Sequence, residues 1–166
     1  GEVEDAYKGV TCAFCHLTEE VVDDHNGALN LADDLVMRGA LPGVVENSAH
    51  PSAYSTLMDR NSLDSADACG SCHDIVTQGG VHIERTFAEW KETIFNQEGV
   101  ARLTCGSCHM RGSRDVAAVF PGAEERLIHD HSMPGVDLAL TPWPQVDAQR
   151  AGVQAELDRT PKVNVC

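Results

Sequence analysis

The sequence predicts a mainly α-helical fold with much irregular loop and little or no β-sheet. Three observations carry that expectation. Apolar residues recur at helical spacing in short stretches, most clearly over residues 86–95 and 144–159. Aromatic residues make up only 5% of the 166 residues, and 14 glycines and 7 prolines interrupt the apolar runs, so side chains alone offer a thin core. A pentapeptide also occurs three times, as Cys12-Ala13-Phe14-Cys15-His16, Cys69-Gly70-Ser71-Cys72-His73 and Cys105-Gly106-Ser107-Cys108-His109. Cysteines at i and i+3 share one face of a helical turn, so each copy reads as a short helix.

Taken in order, the acidic residues 2–5 lead into the first pentapeptide, and residues 19–27 read as a solvated loop with a turn at Asn26-Gly27. Residues 30–43 form one short helix, with Leu31, Leu35 and Val36 at helical spacing and Gly39 and Pro42 ending it. Residues 48–58 form a helix started by Pro51, with Ala53, Tyr54, Leu57 and Met58 on one face. A turn at residues 78–80 precedes the strand-like stretch 81–84. The best helix starts at Thr86, with Glu89 completing a capping box, Phe87, Trp90, Ile94 and Phe95 on its apolar face, and Gly99 as its stop. Beyond His109 the chain reads as loop up to residue 123. Residues 144–159 form an amphipathic helix with Val146, Ala151, Val153 and Leu157 inward, and Val163 and Val165 alternate like the start of a strand. The resulting division is a domain over residues 1–140 that carries all three pentapeptides, followed by a helix and tail over 141–166.

Cys-x-x-Cys with His directly after it is the attachment sequence of a c-type haem, in which both cysteines form thioethers and the His reaches the iron. A redox dithiol or a zinc ribbon explains one Cys-x-x-Cys, but a ribbon needs about 15–20 residues between its pairs, and neither gap fits. The expected cofactors are therefore three haems c, held by Cys12, Cys15, Cys69, Cys72, Cys105 and Cys108, with His16, His73 and His109 as proximal ligands. Porphyrin faces would then replace the missing aromatic core, giving a small haem-cored domain whose apoprotein is largely unfolded. Six of the seven cysteines are consumed, leaving Cys166 unexplained.

Three distal positions remain for five histidines. His50 sits at a helix start, and His129 and His131 share one side of an extended segment, so these three are chosen. His25 lies in an acidic turn and is held in reserve, while His82 alternates away from Val81 and Ile83. Methionine is the other distal ligand chemistry, with Met37, Met58 and Met133 within reason and Met110 too close to a proximal His to cross the ring.

The formal net charge of -14 excludes nucleic acid as a natural partner. It keeps an exported protein soluble, and a basic docking patch on a redox partner is the second reading. No stretch approaches the roughly 20 apolar residues of a membrane span. Haem attachment of this type takes place outside the cytoplasm, and the absence of an apolar segment at Gly1 agrees with a processed export signal, so the expected location is periplasmic or extracellular.

The pentapeptides, together with Ser48-Ala49-His50, Ile83-Glu84-Arg85-Thr86-Phe87-Ala88-Glu89-Trp90 and the His-x-Met-x-Gly segment His131-Ser132-Met133-Pro134-Gly135, resemble a family of multihaem c-type cytochromes exported by bacteria. The resemblance spans residues 10–140. It implies that His50 and His131 occupy ligand positions, that His25 and His82 are variable, that larger members continue into a β-rich domain after residues 141–166, and that members serve mainly as electron carriers. The leading expectation is thus electron transfer without enzymatic activity, through predominantly bis-histidine haems. The alternatives are reduction of a small nitrogen or sulfur compound at one open haem, and an electron-conducting subunit of a membrane redox complex or of a self-assembled cytochrome polymer.

Overall fold

The computed structural model describes residues 10–44, 48–97, 102–117 and 121–159. The proposed terminal strand at Val163 and Val165, Cys166, the acidic residues 2–5 and the helix stop at Gly99 lie outside them. The mainly α expectation is overturned: among the described residues, five α-helices alternate with eight strands in four two-stranded sheets. Residues to Ser107 form one compact unit and residues from Cys108 a second.

In the first unit, helix α1 (Cys12–His16) is the first pentapeptide in full, capped by Thr11, whose Oγ1 accepts from the Phe14 amide at 3.4 Å. Strand β1 (Thr18–Val21) pairs antiparallel with β2 (Leu29–Leu31). The expected turn at Asn26-Gly27 lies between them, with φ of 57° and 67°, the doubly positive geometry that Asn-Gly adopts at low cost. The turn then docks onto the second pentapeptide. Gly27 N–H donates to the Ser71 carbonyl at 2.5 Å and Asn26 N–H to the Asp74 carbonyl at 2.9 Å. The Asn26 side chain also donates to the Val76 carbonyl at 2.8 Å and accepts from the Val76 amide at 2.9 Å. A side-chain amide thus stands in for a strand neighbour.

Two expected helices are strands instead. In place of a helix over residues 30–43, β2 is followed by β3 (Met37–Gly39). The Asp34 carboxylate accepts from the Val36 amide at 3.0 Å and from Arg38, and Leu35 takes a φ of 57°. This local side-chain turn competes with the helix and wins. Residues 48–58 form β4 (Ser52–Tyr54), parallel to β3, and a 3₁₀ turn at Thr56–Met58 capped by Ser55 Oγ. Ser52 Oγ bonds back to the His50 carbonyl, and the ladder with β3 captures the amides that a helix would have used.

Helix α2 (Asp64–Gly70) runs into the second pentapeptide, whose turn is completed by Cys72 and His73 amides donating to the Cys69 carbonyl at 3.2 and 3.1 Å. Strands β5 (Ile75–Val76) and β6 (His82–Glu84) form a small hairpin ahead of α3 (Thr86–Glu92), and a 3₁₀ turn at Ile94–Asn96 follows. The capping box at Thr86 and Glu89 does not form: Thr86 is already inside the helix, and its hydroxyl donates to Glu84 Oε1 at 3.1 Å. The cap comes from the buried Asp74, whose carboxylate accepts from the Ala88 amide at 3.2 Å.

The second unit opens on the end of α4 (Cys105–His109), which is the third pentapeptide in full. The expected loop after His109 is a hairpin, β7 (Gly112–Val116) with β8 (Glu125–His129), in register from Gly112↔His129 to Val116↔Glu125. Its β7 strand is exposed throughout, so no apolar alternation marks it. Helix α5 (Val146–Leu157) falls within the expected span, but of its four inward candidates only Val153 is buried.

Ala66, Phe87 and Val153 are the buried apolar residues among those described, so the side-chain core is as thin as the composition implies. Its densest point lies where α3 crosses α2. The Phe87 ring rests on the Cα of Gly70, where any Cβ would overlap the ring. Trp90 stacks on Phe87 at 5.9 Å between centroids, and Lys91 Nζ lies 4.6 Å from the ring centre. Gly70→Ala forces this ring to move and is expected to destabilise the protein by about 1–3 kcal/mol. The check is a denaturant titration against wild type; an unchanged midpoint would disprove this packing.

Candidate functional site

Each pentapeptide places its two cysteines and its His on one helical turn: α1, the end of α2 with its continuation, and α4. All six cysteines are thiols, with no disulfide among the described residues. Within the first unit, thiols of different copies come together. The Cys69 thiol bonds to Cys105, which raises the pKa of Cys69 and lowers that of Cys105 to about 7, against the opposing effect of burial on Cys105. Cys15 is raised first by burial and then by Cys72 and Cys12. The second copy therefore has Cys15 of the first copy as one neighbour and Cys105 as another.

The three histidines that follow the cysteines share one feature that sequence reasoning did not anticipate. His16 Nδ1 donates to the Arg38 carbonyl at 2.5 Å, and His109 Nδ1 donates to the Pro134 carbonyl at 2.9 Å. His73 Nδ1 lies 3.1 Å from Glu84 Oε1. A carbonyl or carboxylate can only accept, so Nδ1 of each ring carries a proton, which in the neutral ring leaves the lone pair on Nε2. That tautomer suits metal ligation through Nε2, with Nδ1 held by a second partner. The acceptors are 22, 11 and 25 residues further along the chain, too far for a local sequence signal.

The distal candidates are distributed unevenly. His50 is exposed and precedes Pro51, whose carbonyl accepts from the Met37 amide at 3.0 Å, so it lies two residues ahead of the strand pair that supplies the acceptor for His16. In the second unit, His129 ends β8 opposite Gly112, and the Asp130 amide donates to the Arg111 carbonyl at 2.6 Å. His131 Nδ1 donates to the His129 carbonyl at 2.9 Å, the same tautomer as the motif histidines. His82, not chosen in the sequence reading, and His25, held in reserve there, both lie near the second copy. His82 is in β6 with Nδ1 3.9 Å from Asp74 Oδ1, and His25 adjoins the turn that docks on Ser71 and Asp74.

Two further features border these sites. Arg60, Asp64, Arg102, Thr104 and Ser107 line an open groove of about 600 Å³ beside the third copy, with Thr104 Oγ1 donating to the Arg60 carbonyl at 2.6 Å. Asp23, Asp24 and His25 bring ligand atoms within 4.8 Å of one another, in an exposed turn where Asp24 is already bound by Lys91 at 2.5 Å. No helix among the described residues is long and apolar enough to cross a membrane. No family model, curated protein or solved structure matches the chain.

The Lys91 contact, and after it the His25 contact, hold the Asp24 carboxyl down at about 2. A carboxyl lowered below its unfolded value near 3.9 stabilises the fold above that value and ceases to do so as pH falls toward 2. Asp24→Asn is expected to cost less than about 1 kcal/mol at pH 7, because the pair is exposed. The cost should vanish near pH 2 in paired denaturation curves, and a difference that persists there would show that another interaction had been removed.

Proposed function

We propose that this chain is an electron-transfer protein carrying three covalently attached c-type haems, as in the exported multihaem cytochromes that its motifs resemble. The observation that carries the reading is the common state of His16, His73 and His109, each donating from Nδ1 and so presenting Nε2 as the lone-pair nitrogen. Local helical geometry accounts for cysteine spacing, but it does not account for three distant acceptors placed at the same ring atom.

The residues fit the group in other respects. Cys12 and Cys15, Cys69 and Cys72, and Cys105 and Cys108 each present two thiols from one turn, as paired thioethers require. Exposed apolar side chains beside the motifs, including Val81, Ile83, Ile94, Leu127, Ile128 and Met133, offer surface for a large flat apolar ligand to cover. Bound haem supplies a one-electron iron couple. The chain's part is to fix each imidazole, limit water and set the spacing between sites. The Cys69–Cys105 hydrogen bond and the proximity of Cys72 to Cys15 bring thiols of all three copies together, which supports a row of three sites.

His50, His129 and His131 are proposed as distal ligands, which with the proximal set saturates every iron and leaves no open position for a substrate. This favours a carrier over a reductase, and two axial histidines favour low potential. A periplasmic or extracellular location follows from the attachment chemistry, and the acidic charge suits a redox partner with a basic surface.

Produced in a host competent for c-type maturation, the chain is expected to gain the mass of three haems, and replacing both cysteines of any one motif by Ala should remove one. The reduced protein is expected to bind no carbon monoxide. A mass without three haems would sink the proposal, and one haem in three binding carbon monoxide would move the function to a reductase.

A further inference from the structure

The three motif histidines differ in what holds them. His16 and His109 donate to neutral backbone carbonyls, whereas the partner of His73 is the Glu84 carboxylate. The His73 contact is the longest of the three, at 3.1 Å against 2.5 and 2.9 Å, but its acceptor is charged, and a hydrogen bond to an anion is roughly twice as strong as one to a neutral acceptor and draws the Nδ1 proton further from the ring. The ring then becomes more basic at Nε2 and a stronger donor to any metal bound there. Greater donation stabilises the oxidised iron, and hydrogen bonding behind the axial ligand is one of the means by which a protein sets a haem potential.

Resting on the reading of three haems, we infer that Glu84 is a positioning residue that makes the haem of the second motif the lowest-potential member of the row. The placement of Glu84 is built rather than incidental. It ends β6, pairs with Ile75 across the hairpin, and receives the Thr86 hydroxyl at 3.1 Å on the same Oε1 that faces His73. The net charge of -14 lowers all three potentials together, so the distinction between sites comes from the local contact. The side chains of His73 and Glu84 are 67% and 34% exposed, and water therefore weakens the effect of the contact.

The test is a redox titration of the haem-loaded full chain, with the three couples resolved, for wild type, Glu84→Gln and Glu84→Asp. Gln is nearly isosteric and keeps an acceptor without the charge. Asp keeps the charge but is one methylene too short for the contact. In both variants the lowest couple should rise, with its oxidised-to-reduced ratio at fixed potential falling about threefold to tenfold, the latter being about 59 mV for one electron. The other two couples should move much less. Three unchanged couples would overturn the inference, as would an equal shift of all three in Gln with none in Asp, the mark of net charge alone. A wild-type mass short of three haems would instead overturn the underlying reading, and mass is measured on the same samples.

Discussion

The first unit depends on a steric constraint at one atom, the missing Cβ of Gly70. Because nothing projects there, the Phe87 ring can lie against the last turn of α2, and that contact fixes α3 against the second pentapeptide. The rest of the region follows from it. Phe87 N–H donates to the His73 carbonyl at 3.0 Å, Asp74 caps α3 at the Ala88 amide, and the Asn26-Gly27 turn closes on the opposite flank at Ser71 and Asp74. Two segments distant in sequence thus share the five residues Gly70–Asp74 as their common support. The first pentapeptide has Ala13 at the position matching Gly70, so the same close approach of a ring is not open to it.

Such a hub is needed because apolar burial elsewhere is so limited. A chain of this length ordinarily buries most of its large aliphatic side chains, yet here Val81, Ile83, Leu127, Ile128 and many others stay in contact with water. Order comes instead from short ladders, side-chain turns and caps, each satisfying a few backbone groups. Individually these contribute about 1 kcal/mol or less, so the fold rests on many small terms rather than on one core.

The parts legible in the sequence were those governed by contacts a few residues apart. The pentapeptides are helical turns, Asn26-Gly27 is a turn, residues 82–84 are a strand, and α3 and α5 lie within their expected spans. The errors came where polar side chains redirected the backbone: Asp34 replaced a helix by a turn, and Ser52 and Ser55 did the same ahead of Met58. The hairpin β7–β8 was invisible because a solvated two-stranded ladder needs no apolar alternation. At the site, the cysteines and their adjacent histidines were readable because the motif is contiguous. The acceptors at Arg38, Glu84 and Pro134 were not, since two are backbone carbonyls, which carry no residue signature, and all are set by tertiary structure.

Each of these acceptors lies C-terminal to the histidine it holds. A chain made from its N-terminus therefore completes each pentapeptide before the group that orients its imidazole exists. The helical turn, set by local contacts, and the alignment of the ring are thereby separated in time, with the second awaiting the next stretch of polypeptide. Synthesis from the amino end to the carboxyl end then imposes an order of assembly without any dedicated timer.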